Sequence, residues 1–363
     1  MPDSAAEAPL AAKRRRWWRS RGLWIALACA AAIAFGAYKL RTSSFQWGLF
    51  AATFTNLDLR WLAGSVVLLL LTYVGRAVRW RVMILPLRNK PSLMGLCSAT
   101  LIGFTAVVLL GRAGEVVRPY LIAVKERLPF SSQMAAWFLE RILDLLIVLL
   151  VFGYALANMP AGVHVGPALA WVLKTGGYLI TIIGAASVLV LLAFRFFSQT
   201  AQKRILSALS FLPERHFARV ERTVAAFAAG MDCMRTRRGV VMLAVYTVLE
   251  WALIFGGYVC LFHSFGATAR FGYVETLIFL GFIAFGSIVQ IPGIGGGVQI
   301  VAVVVLTQIF GITIEQATGV AILIWVVSFA TVVPFGLAMA FHEGINWRKF
   351  RHLPEDVPAE ASL

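Results

Sequence analysis

Charge is scarce in this 363-residue chain. Only 14% of its residues are Asp, Glu, Lys or Arg, where a soluble domain carries roughly a quarter. Acidic residues are scarcer still, 17 against 33 Lys and Arg, for a formal net charge of +16. Cysteine is equally sparse. Cys29, Cys97, Cys233 and Cys260 lie in or beside apolar runs and form no CxxC pair, which excludes a disulfide framework and a thiolate metal site. No Walker A sequence is present, so nucleotide hydrolysis by that route is excluded, and no HExxH offers a zinc site. The five histidines are scattered, and His164 and His263 read as ordinary loop residues. These absences predict no cofactor and no metal.

Apolar residues fill the space that charge leaves. They make up 60% of the chain, and the mean hydropathy is +0.81. The positive charge falls in short loops between apolar runs, which points to membrane topology and anionic lipid rather than nucleic acid. Runs occur at about 23–40, 59–75, 92–110, 134–157, 169–194, 240–262, 276–291, 298–310 and 318–341. A spanning helix needs roughly 20 apolar residues, and several of these runs qualify.

The loops set the sidedness. Residues 13–21 hold six positive charges, 76–90 hold five and 195–239 hold nine, whereas 158–168 hold none and 263–272 only Arg270. The positive-inside rule places the first group in the cytoplasm and the second outside. The run 92–110 then cannot be a simple crossing, because every later loop would be inverted. Its return path, 111–133, is too polar for a lipid-facing span. Together these read as a re-entrant hairpin turning near 111–114. The pair 276–291 and 298–310, broken at Pro292-Gly293-Ile294-Gly295-Gly296-Gly297, is either a second hairpin from the opposite face or two short spans; parity allows both. The predicted fold class is an all-α polytopic membrane protein of about six full spans plus two broken or re-entrant hairpins. Interrupted segments from opposite faces are the pattern of an inverted-repeat transporter, although no residue-level repeat is visible.

Around that domain, 23–341, lie a basic cytoplasmic arm, 1–22, and a cytoplasmic tail, 342–363, so both termini are placed in the cytoplasm. The first run can also be read as a cleaved signal peptide ending near Ala34-Phe35-Gly36. Within 203–238, Phe217, Val220, Val224, Phe227, Met231 and Met234 recur at helical spacing. That pattern predicts an amphipathic segment on the membrane surface or a connector packed on the bundle.

The polar candidates cluster in sequence. Arg112, Glu115 and Arg118 follow an apolar run, among Gly111, Gly114 and Pro119. Arginine offers a planar fork that matches phosphate, and glycine lets backbone N–H groups approach an anion. The competing role is an interfacial anchor that snorkels to lipid phosphates. Glu140, Arg141 and Asp144 lie inside a run, with Glu140 and Asp144 on one helix face. Such residues face a bundle interior, where they either contact a headgroup or form an ion-pair network. Glu250 and Glu275 also lie in or near apolar runs.

Gly-Arg-Ala-Gly-Glu-Val-Val-Arg-Pro-Tyr at 111–120, Glu140-Arg141-x-x-Asp144 and the Pro-Gly-x-x-Gly turn at 292–296 resemble the flippase-like membrane domain of lysylphosphatidylglycerol synthases. That domain also occurs alone in bacterial and archaeal membrane proteins, some linked to hopanoid or dolichol-type lipid pathways. The resemblance covers roughly 20–341. It implies a polytopic domain that handles a lipid headgroup across the cytoplasmic (inner) membrane. With the last run ending soon before Leu363, it also implies that the soluble aminoacyl-transferase domain is absent. The family's turn commonly continues to a glutamate, where this chain has Gln299.

The expected substrate site therefore comprises Arg112, Glu115, Arg118, Glu140, Arg141, Asp144, Pro292, Gly293, Gly296 and Gln299, with membrane lipids bearing phosphate headgroups as the partner. A homo-oligomer or a lipid-modifying enzyme partner is a further expectation. Lipid translocation leads. An integral-membrane transferase on a lipid-linked substrate and a non-catalytic scaffold for a lipid-modifying enzyme are the alternatives.

Overall fold

The computed structural model describes residues 45–55, 57–158, 182–190, 214–287, 290–291 and 295–344. Contacts divide the chain into Met1–Phe50 and Ala51–Leu363. Of the first unit, Phe45, Trp47 and Phe50 are seen with ring centroids 4.9–6.0 Å apart. The predicted arm, the tail beyond Gly344, the first run, most of the run 169–194, and His164 lie outside the described residues, although 182–190 is helical.

The described chain is helical apart from one strand pair. The helices are α1 (Trp47–Thr55), α2 (Leu59–Ile84), α3 (Leu93–Leu110), α4 (Val117–Glu126), α5 (Phe130–Ala157), α6 (Glu214–Ala229), α7 (Arg237–His263), α8 (Tyr273–Gly286), α9 (Gly297–Gln308) and α10 (Ile314–His342). Side chains satisfy several helix starts, as the first backbone N–H groups require. Asp58 accepts from Arg60 N at 2.9 Å, Ser92 from Gly95 N at 3.1 Å and Thr236 from Gly239 N at 3.1 Å. Among the described residues, four helical stretches are long and apolar enough to cross a membrane: Leu59–Ile84, Leu93–Glu126, Arg237–His263 and Ile314–His342. The 28-residue α5 matches them in length, but carries Glu140, Arg141 and Asp144 in its middle. The protein is a multi-pass membrane protein.

One of these stretches doubles back. α3 ends at Gly111, whose φ of 66° and ψ of −143° suit glycine alone. A 3-10 turn, Gly111–Val116, then reverses the chain and α4 returns along α3. The two ends of the hairpin are pinned together. Glu126 Oε1 accepts from Ser92 N at 3.0 Å, and Arg88 Nε stands 2.7 Å from Glu126 Oε2. α10 closes against this base, with Glu343 bonded to Ser98 Oγ and lying 2.5 Å from Lys125 Nζ. The chain thus folds back on itself over residues 93–126.

A second reversal joins α8 to α9. Gln290 pairs with Gly296 and Ile291 with Gly295 in a two-residue antiparallel ladder, and α8 and α9 pack together beyond it. Strand β1 (Gln290–Ile291) touches the 3-10 turn of the first hairpin. Arg112 Nη2 donates to the Ser287 carbonyl at 3.4 Å. The tips of the two hairpins therefore meet.

Two apolar cores flank that level. One gathers the end of α5, the end of α7, α8, α9 and the first half of α10 around Phe262, Phe265 and Phe279. The other gathers the end of α2, the first hairpin, the start of α5 and the start of α7 around Trp80, Met83 and Ile102. Glu140, Arg141 and Asp144 on α5 and Glu250 on α7 fall between the residues these helices give to the two cores.

The structure corrects two expectations and bears on a third that the sequence leaves open. α2 does not stop at Gly75 but runs to Ile84, so Arg76 and Arg79 are helix residues and not loop charges. His263 is the last residue of α7, and its Nδ1 lies 2.9 Å from Val259 O. α6 packs on α5, with Ala228, Met231, Cys233 and Met234 buried, which favours the connector over a free surface helix. Burial, reinforced by neighbouring Asp232, pushes the Cys233 thiol up to about 12. Since the thiolate is the reactive form, Cys233 will resist maleimide at neutral pH in the folded protein and label only on unfolding. Mass spectrometry of the labelled protein reads this directly.

Candidate functional site

The polar centre starts from α2. Arg76 and Arg79 are three residues apart and share a face that meets α7 and α5. Arg79 is wholly buried. It donates to Glu140 Oε1 at 2.5 Å and to Asp144 Oδ1 at 2.6 Å and Oδ2 at 3.2 Å. It also donates to Thr247 Oγ1 at 3.3 Å and stands 3.3 Å from Glu250 Oε2. Arg76 lies 2.8 Å from Glu250 Oε1, and 3.7 and 3.9 Å from Glu140 and Asp144. Arg118 reaches the same acids from the hairpin by bonding Glu140 Oε2. Three arginines thus face three carboxylates, drawn from α2, α4, α5 and α7. Charges buried at this depth persist only when paired in this way.

Aromatic rings hold Arg118 in place. Its guanidinium lies 4.1 Å from the Trp80 ring and 5.3 Å from that of Phe104, within cation–π range. Trp80 Nε1 is itself fixed by Gln133 Oε1 at 2.9 Å. Arg76 lies over the same Phe104 at 4.8 Å.

A second and more open set lies at the hairpin tips. Glu115 Oε1 accepts from Arg112 Nη1 at 2.8 Å, and its Oε2 stands 3.3 Å from Arg141 Nη2. The side chains of Arg112 and Arg141 are 55% and 42% exposed, which separates them from the buried arginines. Glu115, Arg118, Trp137 and Arg141 line a narrow crevice with Gly103, Phe104 and Val107, of about 10 Å³, room for about one water. The indole Nε1 of Trp137 has no hydrogen-bond partner among the described residues.

The sequence-predicted residues therefore divide. Arg112, Glu115 and Arg141 come together at the open tip, and Glu140, Asp144 and Arg118 join the buried network. Gln299 stands at the start of α9, with its buried Oε1 unpartnered among the described residues. Gly296 is in the strand pair, while Pro292 and Gly293 lie outside the described residues. Glu275 accepts from Gly272 N at 2.9 Å at the start of α8, an ordinary cap. Sequence reasoning missed Arg76, Arg79 and Thr247. A signal existed for the first two: after Arg79 the apolar pattern resumes through Trp80, Val82, Met83 and Ile84 up to Pro86, so the helix had reason to continue.

Residues 23–336 match the sequence profile of the lysylphosphatidylglycerol synthase TM region. The chain belongs to that family. No curated protein and no solved structure matches it. In this member of the lysylphosphatidylglycerol synthase TM family, a group of membrane domains linked to lipid handling, the motif residues sit at the one level where two chain reversals and a buried ion network converge.

Proposed function

We propose that the protein is a lipid translocase of the cytoplasmic membrane. It receives an anionic phospholipid or lipid-linked phosphate headgroup where the two hairpin tips meet. The observation that carries this reading is the pairing of an exposed, Glu115-bridged Arg112 and Arg141 with a crevice that leads to buried Arg118. Two guanidinium forks held by one carboxylate are pre-oriented, and a phosphate diester can join them bidentately. Arg118, committed to Glu140, adds positive potential from behind and stays in place.

This revises the roles expected from sequence. Arg141 replaces Arg118 as the second phosphate ligand, and Glu140 and Asp144 balance buried arginines. Gly296, in the strand pair, and Gln299, at the start of α9, belong to the facing reversal. The hairpins enter from opposite faces, the inverted-repeat pattern of transporters. Positive loops then place both termini in the cytoplasm.

Native mass spectrometry of the purified protein with its retained lipids tests this reading. The Arg112→Ala/Arg141→Ala double variant should lose a specific anionic lipid carried by the wild type. Its affinity should fall on the order of 10–100-fold, as for lost charged hydrogen bonds. Identical lipid profiles in the two proteins would sink the headgroup site and favour a scaffold role.

A further inference from the structure

We infer that Glu250 binds a proton together with the anionic headgroup, so that translocation is proton-coupled; this rests on the translocase reading above. Glu250 is wholly buried on α7. The charged groups that face it among the described residues are Arg76 and Arg79 of α2 and Glu140 and Asp144 of α5. The three acids of the network are not held alike. Glu140 accepts from both Arg79 and Arg118, and Asp144 takes bonds from Arg79 on both oxygens. Glu250 stands 2.8 Å from Arg76 and 3.3 Å from Arg79, but neither of its oxygens receives an aligned hydrogen bond from the described residues. Hydrogen bonds to the charged form are what hold a buried carboxylate ionised. Glu250 is therefore the acid that yields to a proton first.

Its protonation would reach the headgroup through Arg76. With Glu250 neutral, three arginines face two carboxylates, and Arg76 loses its nearest counter-charge. Arg76 and Arg118 contact one ring, Phe104, which also lines the crevice beside Glu115 and Arg141. The uncovered charge lies one ring away from the headgroup, in surroundings where charges act strongly. A proton thus raises affinity for an anion, and by reciprocity an anion raises affinity for the proton. The pair crosses with the headgroup charge compensated, which lowers the cost of moving a phosphate diester through a membrane. The proton enters with the anion from one face and leaves with it at the other.

The test uses the full chain in weakly buffered detergent with a pH indicator, titrated with short-chain phosphatidylglycerol from about pH 8 to about pH 5. Wild type is expected to take up as much as about one proton per lipid bound and to bind up to about tenfold tighter per unit fall in pH. E250Q, neutral and nearly isosteric, should bind with constant affinity and no proton uptake, which also separates Glu250 from His263. D144N should keep the uptake; its loss there would assign the proton to Asp144 and overturn the inference, and this arm decides even if E250Q fails to fold. Wild-type binding that is independent of pH, with no uptake, overturns coupling and leaves the translocase standing. No binding of phosphatidylglycerol at any pH overturns the anionic-headgroup reading and coupling with it.

Discussion

Arg79→Ala will destabilise the folded protein by about 3–5 kcal/mol, the usual cost of removing one partner from a buried charge network. Arg79 lies close to all three acids, at 2.5 Å to Glu140, 2.6 Å to Asp144 and 3.3 Å to Glu250, whereas Arg76 is that close only to Glu250. Without it, three carboxylates share Arg76 and Arg118, and the alanine leaves a void where a guanidinium had been. Against a total stability of roughly 5–15 kcal/mol, such a loss unfolds much of the population near growth temperature. Thermal unfolding in detergent measures it. Arg79→Lys keeps the charge but not the fork, and should fall between wild type and alanine. Arg112→Ala is the contrast. It removes an exposed charge whose partner, Glu115, keeps Arg141 at 3.3 Å, and it should shift stability within about 0.5 kcal/mol while weakening lipid retention. Equal melting of wild type and Arg79→Ala would show that the network adds nothing to the fold.

Gly114→Ala should cost about 1–3 kcal/mol or more, as forced overpacking does, and abolish lipid transfer. A methyl at Gly114 would stand 2.3 Å from the Ala106 carbonyl carbon and 2.4 Å from its oxygen and from Val107 N. All three are backbone atoms of α3, so no rotamer relieves the clash. The limbs of the hairpin must separate, which displaces Glu115 and Arg118 from the crevice. Gly153→Ala is the control. Its methyl meets nothing within 4 Å, and near the C-terminal end of α5 it should stabilise by up to about 1 kcal/mol through helix propensity. If Gly114→Ala matched wild type in melting and in transfer, the tight hairpin would not be needed for either.

Much of the fold was legible before the structure. Apolar runs located α2, α5, α7 and α10 because a membrane leaves few other ways to satisfy a backbone. Loop charge parity required that 92–110 turn back, and the chain does so at Gly111. Boundaries were less secure. α2 was cut at Gly75 because Arg76, Arg79 and Arg81 looked like loop charge. The burial of Arg76 and Arg79 depends on Glu140, Asp144 and Glu250, at least 61 residues away in sequence, beyond the reach of any window read along the chain.

The site was legible as a set of residues and not as an arrangement. The sequence by itself determined a polytopic helical membrane protein, the family motif at 111–120 and the presence of Glu140 and Asp144 on one face of α5. Those follow from composition and from helical period, which are local properties. Only the tertiary structure decided that Arg118 turns inward to Glu140 while Arg112 and Arg141 stay open around Glu115. It also decided that Arg79 is shared by three acids and that the two hairpin tips touch. The reason is geometric: helical period fixes which residues share a face, but the rotation and depth of each helix against its neighbours fix which faces meet. A buried charge takes its partner from that meeting.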